Sequence, residues 1–186
     1  NGNKKRKTKL PENQVVAGHA TASTMHAGIS KAEFNRTVHE LCTAIAAHHT
    51  SAMGETPAAH AEHAAKIAKS VATYLQQQVK RESDAAKGGH QHANECVSHM
   101  QANFHEITSK AAAHAACLAV ISAGGSDQDA HQAASAAARN ASSQAKAHKQ
   151  ALEHVKKLLP AARKGHTDGN SLSKNVEESP AGKSDE

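Results

Sequence analysis

Between Ser30 and Arg163 the apolar residues recur at spacings of three and four, the period of a helix face and not of a strand. The first run is Phe34, Val38, Leu41 and Ile45, carried on to about Ala52 and stopped by Gly54. "SKAE" precedes it, with Ser30 placed to cap the helix and Glu33 to bond back. "TP" opens the second run, Thr56 as N-cap and Pro57 at the first helical position. Its seam reads Ala64, Ile67, Val71, Tyr74 and Gln78, with Leu75 and Val79 beside it, until Gly88 and Gly89. The third run is the most regular. Val97, Met100, Phe104, Ile107, Ala111, His114, Leu118 and Ile121 alternate threes and fours without a slip. "GGSDQD" then interrupts the chain and offers Ser126 and Asp129 as a second capping box. The fourth run begins with Ala130, Ala134, Ala137 and Ala141 and thickens at Leu152, Val155, Leu158 and Leu159, before Pro160.

The pattern predicts an all-α protein: an elongated antiparallel helical bundle of three long helices plus one shorter helix, spanning residues 30–164. Helices of roughly thirty residues would make it about 45 Å long at 1.5 Å per residue. Residues 1–29, which include "KKRKTKL", read as a flexible basic arm, and residues 165–186, polar throughout, as a disordered tail or stalk. Beginning at Asn1, the sequence reads as a processed or excised chain.

Composition sharpens this picture. Forty alanines stand against 28 large apolar residues, so the core is thin and the helix axes lie close together. With no Trp, one Tyr and two Phe, the chain lacks the aromatic platform that single-stranded nucleic acid stacks on, and no specific nucleic-acid partner is expected. "AAAHAACLAVI" is the longest apolar run and is too short to span a bilayer. Membrane attachment would come only through a C-terminal anchor removed from the mature chain. Three cysteines permit one intramolecular bridge. Each neighbours a seam residue, and in a secreted protein the heights along the helices favour Cys42–Cys96 over Cys42–Cys117. "NRT" at Asn35 and "NAS" at Asn140 would be N-glycosylation acceptors in the same setting.

Sixteen histidines are the chemical peculiarity of the chain. "HELCT" at His39 and "HEITS" at His105 start like the zinc-protease motif, but Thr43 and Ser109 stand where its second histidine belongs. No Glu-x-x-His pair of the di-iron kind occurs either. The remaining metal candidates are His60 with His63 and Glu95 with His99, each one helical turn apart, besides the His48–His49 and His90/His92 clusters. Such sites bind divalent metal adventitiously, and no cofactor is expected. His114, inside the third seam, and His148, at the alanine-to-leucine transition of the fourth run, are candidates for pH sensing. No nucleophile-and-base or glycine-rich phosphate pattern is placed on a recognisable scaffold, so catalysis is not expected.

The stretches "VHELCTAIAAHH", "AHAEHAAKIAKSVA" and "HVKKLLPAARKGHTDGNS" together resemble the alanine-rich helical surface proteins of trypanosomes. That group includes the haptoglobin–haemoglobin receptors and the glutamic acid/alanine-rich coat protein. The resemblance covers about a quarter of the chain. It implies an extended bundle on a membrane-anchored stalk that meets a host ligand or shields the cell. Members of the group are usually longer and more acidic, and no ligand-contact residue carries over. The expectation is therefore a non-catalytic surface-displayed or secreted protein that binds a host or partner macromolecule, a protein ligand included, or forms a protective coat. The alternative is an intracellular histidine- and alanine-rich helical protein with metal-binding or stress-related partners, cytoplasmic or nuclear.

Overall fold

The structure, a computed structural model, describes residues 31–51, 56–85 and 91–177, with side chains to residue 165. The expected basic arm and the Ser30 cap lie outside these residues. Every regular element among the described residues is a helix: α1 (Lys31–Ser51), α2 (Pro57–Ala85), α3 (Gln91–Ala102), α4 (Phe104–Ser122), α5 (Asp127–Ala141) and α6 (Ala145–Glu177).

Two of the starts read from the sequence are made as expected. Thr56 Oγ1 accepts from the backbone N–H of Ala59 at 3.3 Å, ahead of Pro57. Ser126 accepts from the Asp129 N–H while Asp129 accepts from the Ser126 N–H, a complete capping box. Between α4 and α5 the turn needs a left-handed residue, which Gly124 supplies at φ 82°. The N–H of Gly125 then reaches back to the Val120 carbonyl, satisfying one of the last acceptors of α4.

Two expected rods are each interrupted. The third run breaks at Asn103, whose φ of −107° and ψ of 11° leave the helical region. Its side-chain Nδ2 donates to the His99 carbonyl at 2.9 Å, the same oxygen that its own backbone N–H uses at 3.0 Å. A side chain that competes for helix acceptors in this way bends or breaks the ladder. The fourth run breaks at Ser142, which is extended (φ −154°, ψ 148°). Its hydroxyl accepts from the Gln144 N–H at 3.1 Å and lies 2.8 Å from His105 Nδ1. The last helix also differs from expectation at its far end. It passes Pro160 and runs to Glu177, so Gly165 is not its boundary. Extending an existing helix adds a hydrogen bond per residue without a new nucleus, and this offsets a poor local sequence.

α4 is the axis of the fold. It touches α1, α2, α5 and α6, and its buried residues lie on every side: Ile107, Ala111, Ala112, Ala113, Ala116 and Val120 among them. Alanine makes this feasible, because a helix with small side chains all round lets four neighbours approach its backbone. α5 answers with Ala130, Ala134, Ala137 and Ala138, all buried. The approach is close enough for Ser109 Oγ to donate to the Ala138 carbonyl across the interface at 3.1 Å. The other helices bury one stripe each. In α1 it is Phe34, Val38, Cys42 and Ile45, with Leu41 only half-buried. In α2 it is Ala64, Ala68, Val71, Leu75 and Val79, and Ile67, Tyr74 and Gln78 stand at its edge. α6 is fastened to the α4–α5 turn by Arg163, which donates to the Gly125 carbonyl and to Asp127, both at 2.8 Å.

A side chain enlarged inside the alanine sheath has nowhere to go. Ala116→Leu, on the fully buried side of α4, should lower unfolding free energy by about 1–3 kcal/mol. Ala161→Leu, on the exposed face of α6, should stay within about 0.5 kcal/mol. Equal denaturant midpoints for the two variants would show that α4 is not tightly packed.

Candidate functional site

The helices around α4 form an incomplete ring. α6 touches α5, α5 touches α2, and α2 touches α1, but among the described residues α1 and α6 do not approach to within 8 Å between Cα atoms. Among the described residues no helix covers the face of α4 between them, where Lys110, His114 and Leu118 are half-buried. A groove of about 470 Å³ follows, walled by His39, Ala44 and Ala47 of α1 and by His154 of α6. Its floor is Lys110, His114 and Leu118 of α4.

This explains the histidine in the third seam. His114 sits at a core position that no described helix covers, and its ring meets His154 instead. Nδ1 of His114 lies 2.8 Å from Nε2 of His154, with ring centroids 5.1 Å apart and planes inclined by 35°. One ring must donate and the other accept, so the pair holds together while at least one ring is neutral. Burial, and then the charge of His154, pushes His114 down to about 4. Burial likewise lowers His39 to about 4, aided by Lys110, His154 and His99. His154 is lowered by burial, then by Lys110 and Lys157. All three rings are therefore neutral at pH 7. Nδ1 of His39 is buried and makes no hydrogen bond.

The other singled-out residues fall elsewhere. His148 Nε2 donates to the Ser142 carbonyl, so it secures the α5–α6 break and does not share the groove with His114. His60 is buried and His63 half-buried on α2. Glu95 is exposed and accepts from Gln91 at 3.3 Å, whereas the His99 ring lies beside Asn103 Nδ2. The side chains of His49, His90 and His92 are outside the described set, and among the described residues no three His, Cys, Asp or Glu converge as a metal site. No bridge joins Cys42 to Cys96. Cys42, Cys96 and Cys117 are buried thiols, and that of Cys42 points at the Ala68 carbonyl of α2, 3.7 Å away. Asn35 is half-buried with its Oδ1 enclosed, while Asn140 is exposed in the last turn of α5.

His39 and His154 were not separable from the other histidines by motif. The signal they do carry is positional. Each directly precedes or follows a buried valine, Val155 or Val38, and so stands on the shoulder of a stripe that faces α4. A comparison of the chain with family models, curated proteins and solved structures finds no match.

Two measurements check this geometry. The three groove histidines bind fewer protons folded than unfolded, so their contribution to stability is complete above the unfolded value near 6.5. It is lost as pH falls through that value towards about 4, the folded value of His39 and His114. Melting temperature should fall steadily from pH 7 to pH 4, and His114→Leu should flatten the slope. An unchanged slope in that variant would assign the effect to histidines outside the groove. Burial also pushes the Cys42 thiol up to about 12, and burial with Asp127 pushes Cys117 up to about 11. Alkylation at pH 8 should therefore label these two thiols slowly in the folded protein and rapidly in denaturant, because only thiolate reacts. Rapid native labelling of Cys42 would show that α1 separates from α2.

Proposed function

We propose that the chain is a non-catalytic helical protein, surface-displayed or secreted, that binds a host or partner macromolecule or forms a protective coat. In this reading it belongs with the trypanosome surface bundles that its alanine-rich stretches resemble. The observation that carries the binding role is the open ring. A bundle that served only its own stability would cover the floor of the groove, yet Leu118 and His114 are left half-exposed between α1 and α6. The finer architecture belongs to the same proposal: α3 with α4, and α5 with α6, act as two interrupted rods of an elongated antiparallel bundle beside α2 and the shorter α1.

No helix among the described residues is long and apolar enough to cross a membrane, so the reading leaves attachment to a C-terminal anchor. Glycosylation, if the chain is secreted, falls on exposed Asn140 before half-buried Asn35. Antibody raised against residues 91–165 should stain intact source cells, or recover the protein from their medium. Staining that requires permeabilisation, with nothing in the medium, would overturn the surface assignment.

A further inference from the structure

The groove sets basic groups beside an apolar surface, with fewer acids than bases among its lining residues. α1 turns His39, Arg36 and Glu40 towards it, α4 supplies Lys110 and His114, and α6 supplies His154. Lys157 of α6 and His99 of α3 act on the same cluster from just outside. Glu40 is the one acid in the lining. It pairs with Arg36 at 3.9 Å, at the mouth, where both side chains are about 70% exposed. Deeper in, the imidazoles of His39, His114 and His154 share the lining with the Lys110 ammonium. Ala44, Ala47 and Leu118 offer only hydrocarbon beside them. An arrangement of this kind is incomplete electrostatically: each basic group opposes the protonation of the next.

We propose that the groove between α1 and α6 binds a small amphipathic anion, a carboxylate on an unbranched apolar chain. The carboxylate sits among His39, His114, His154 and Lys110, and the chain lies over Ala44, Ala47 and Leu118. A recess of about 470 Å³ falls in the size range of small-ligand pockets. This goes beyond the macromolecular partner proposed above and rests only on the groove being a binding surface.

Two consequences follow from the chemistry. An anion among neutral imidazoles favours their protonated forms, so binding takes up protons from solution between pH 7 and pH 5. Each methylene that reaches the floor tightens binding about fourfold, up to the length the groove holds. Head and tail are thus both required.

The probes are decanoate, decanol and butyrate, titrated calorimetrically into the full chain at pH 6.5 in two buffers of different ionisation enthalpy. Decanoate should bind one to one, at least tenfold more tightly than decanol, with butyrate too weak to measure. The heat should differ between buffers by the proton uptake. Lys110→Gln and His39→Gln should each weaken decanoate at least tenfold without lowering the melting temperature at pH 7. Lys69→Gln, on the exposed face of α2, should leave binding unchanged. Equal affinity for decanoate and decanol, absence of saturable binding, or full binding by both groove variants would overturn the proposal. None of these outcomes bears on where the protein is displayed, which intact-cell staining decides separately.

Discussion

The fold depends on how closely helices can approach one that is buried on every side. α4 meets that condition with Ala111, Ala112, Ala113, Ala115 and Ala116 in one continuous stretch, broken only by His114. Each of these removes little apolar area from water. The gain lies in dispersion contacts and backbone proximity, which the Ser109 hydroxyl registers when it reaches the Ala138 carbonyl of α5. The larger residues that a conventional core would use are spread along this sheath instead. Phe34, Leu75, Met100, Ile107 and Ile121 are fully buried, and they come from four different helices. A thin core is thereby spread along an axis, not collected at a centre.

This arrangement determines what the sequence reveals. Helix identity, the caps at Thr56 and Ser126, and the glycine turn at Gly124 are local, and local chemistry writes them plainly into the chain. The breaks at Asn103 and Ser142 are less legible because the apolar period runs straight through them. Met100, Phe104 and Ile107 keep their spacing across Asn103, and only the asparagine side chain, competing for the His99 carbonyl, marks the interruption. The all-round burial of α4 is hidden for a different reason. Alanine is apolar enough to be buried and small enough to be exposed, so a run of it has no readable face. The stripe of α2 suffers from the same ambiguity: Ala68 is fully buried where Ile67 is half-exposed, against the ranking by size.

The candidate site divides along the same line. His114 was visible because a histidine inside an otherwise apolar seam breaks a pattern. His39 and His154 break none, since they stand at stripe edges where polar residues are ordinary. Their significance comes only from the packing of α1 and α6 on either side of α4, a tertiary fact that no spacing along the chain encodes. His148 shows the converse. It stood at a transition in its run, yet its ring serves the carbonyl of a broken helix end, where imidazole acts as a local cap.

The incomplete ring and the imidazole cluster also explain one another. A helix seated between α1 and α6 would seal His114 against hydrocarbon and deprive its ring of any partner, at the usual cost of an unsatisfied buried polar group. With the ring open, His154 reaches across to His114 at 2.8 Å and the pair is satisfied without a fifth neighbour. Burial lowers the pKa of both His39 and His154, and Lys110, near both shores, adds to it. Closing the groove with protein would therefore mean replacing the histidines, and replacing the histidines would leave α4 with an apolar stripe in need of a cover. The position of the gap and the identity of the residues that line it are one constraint, satisfied together.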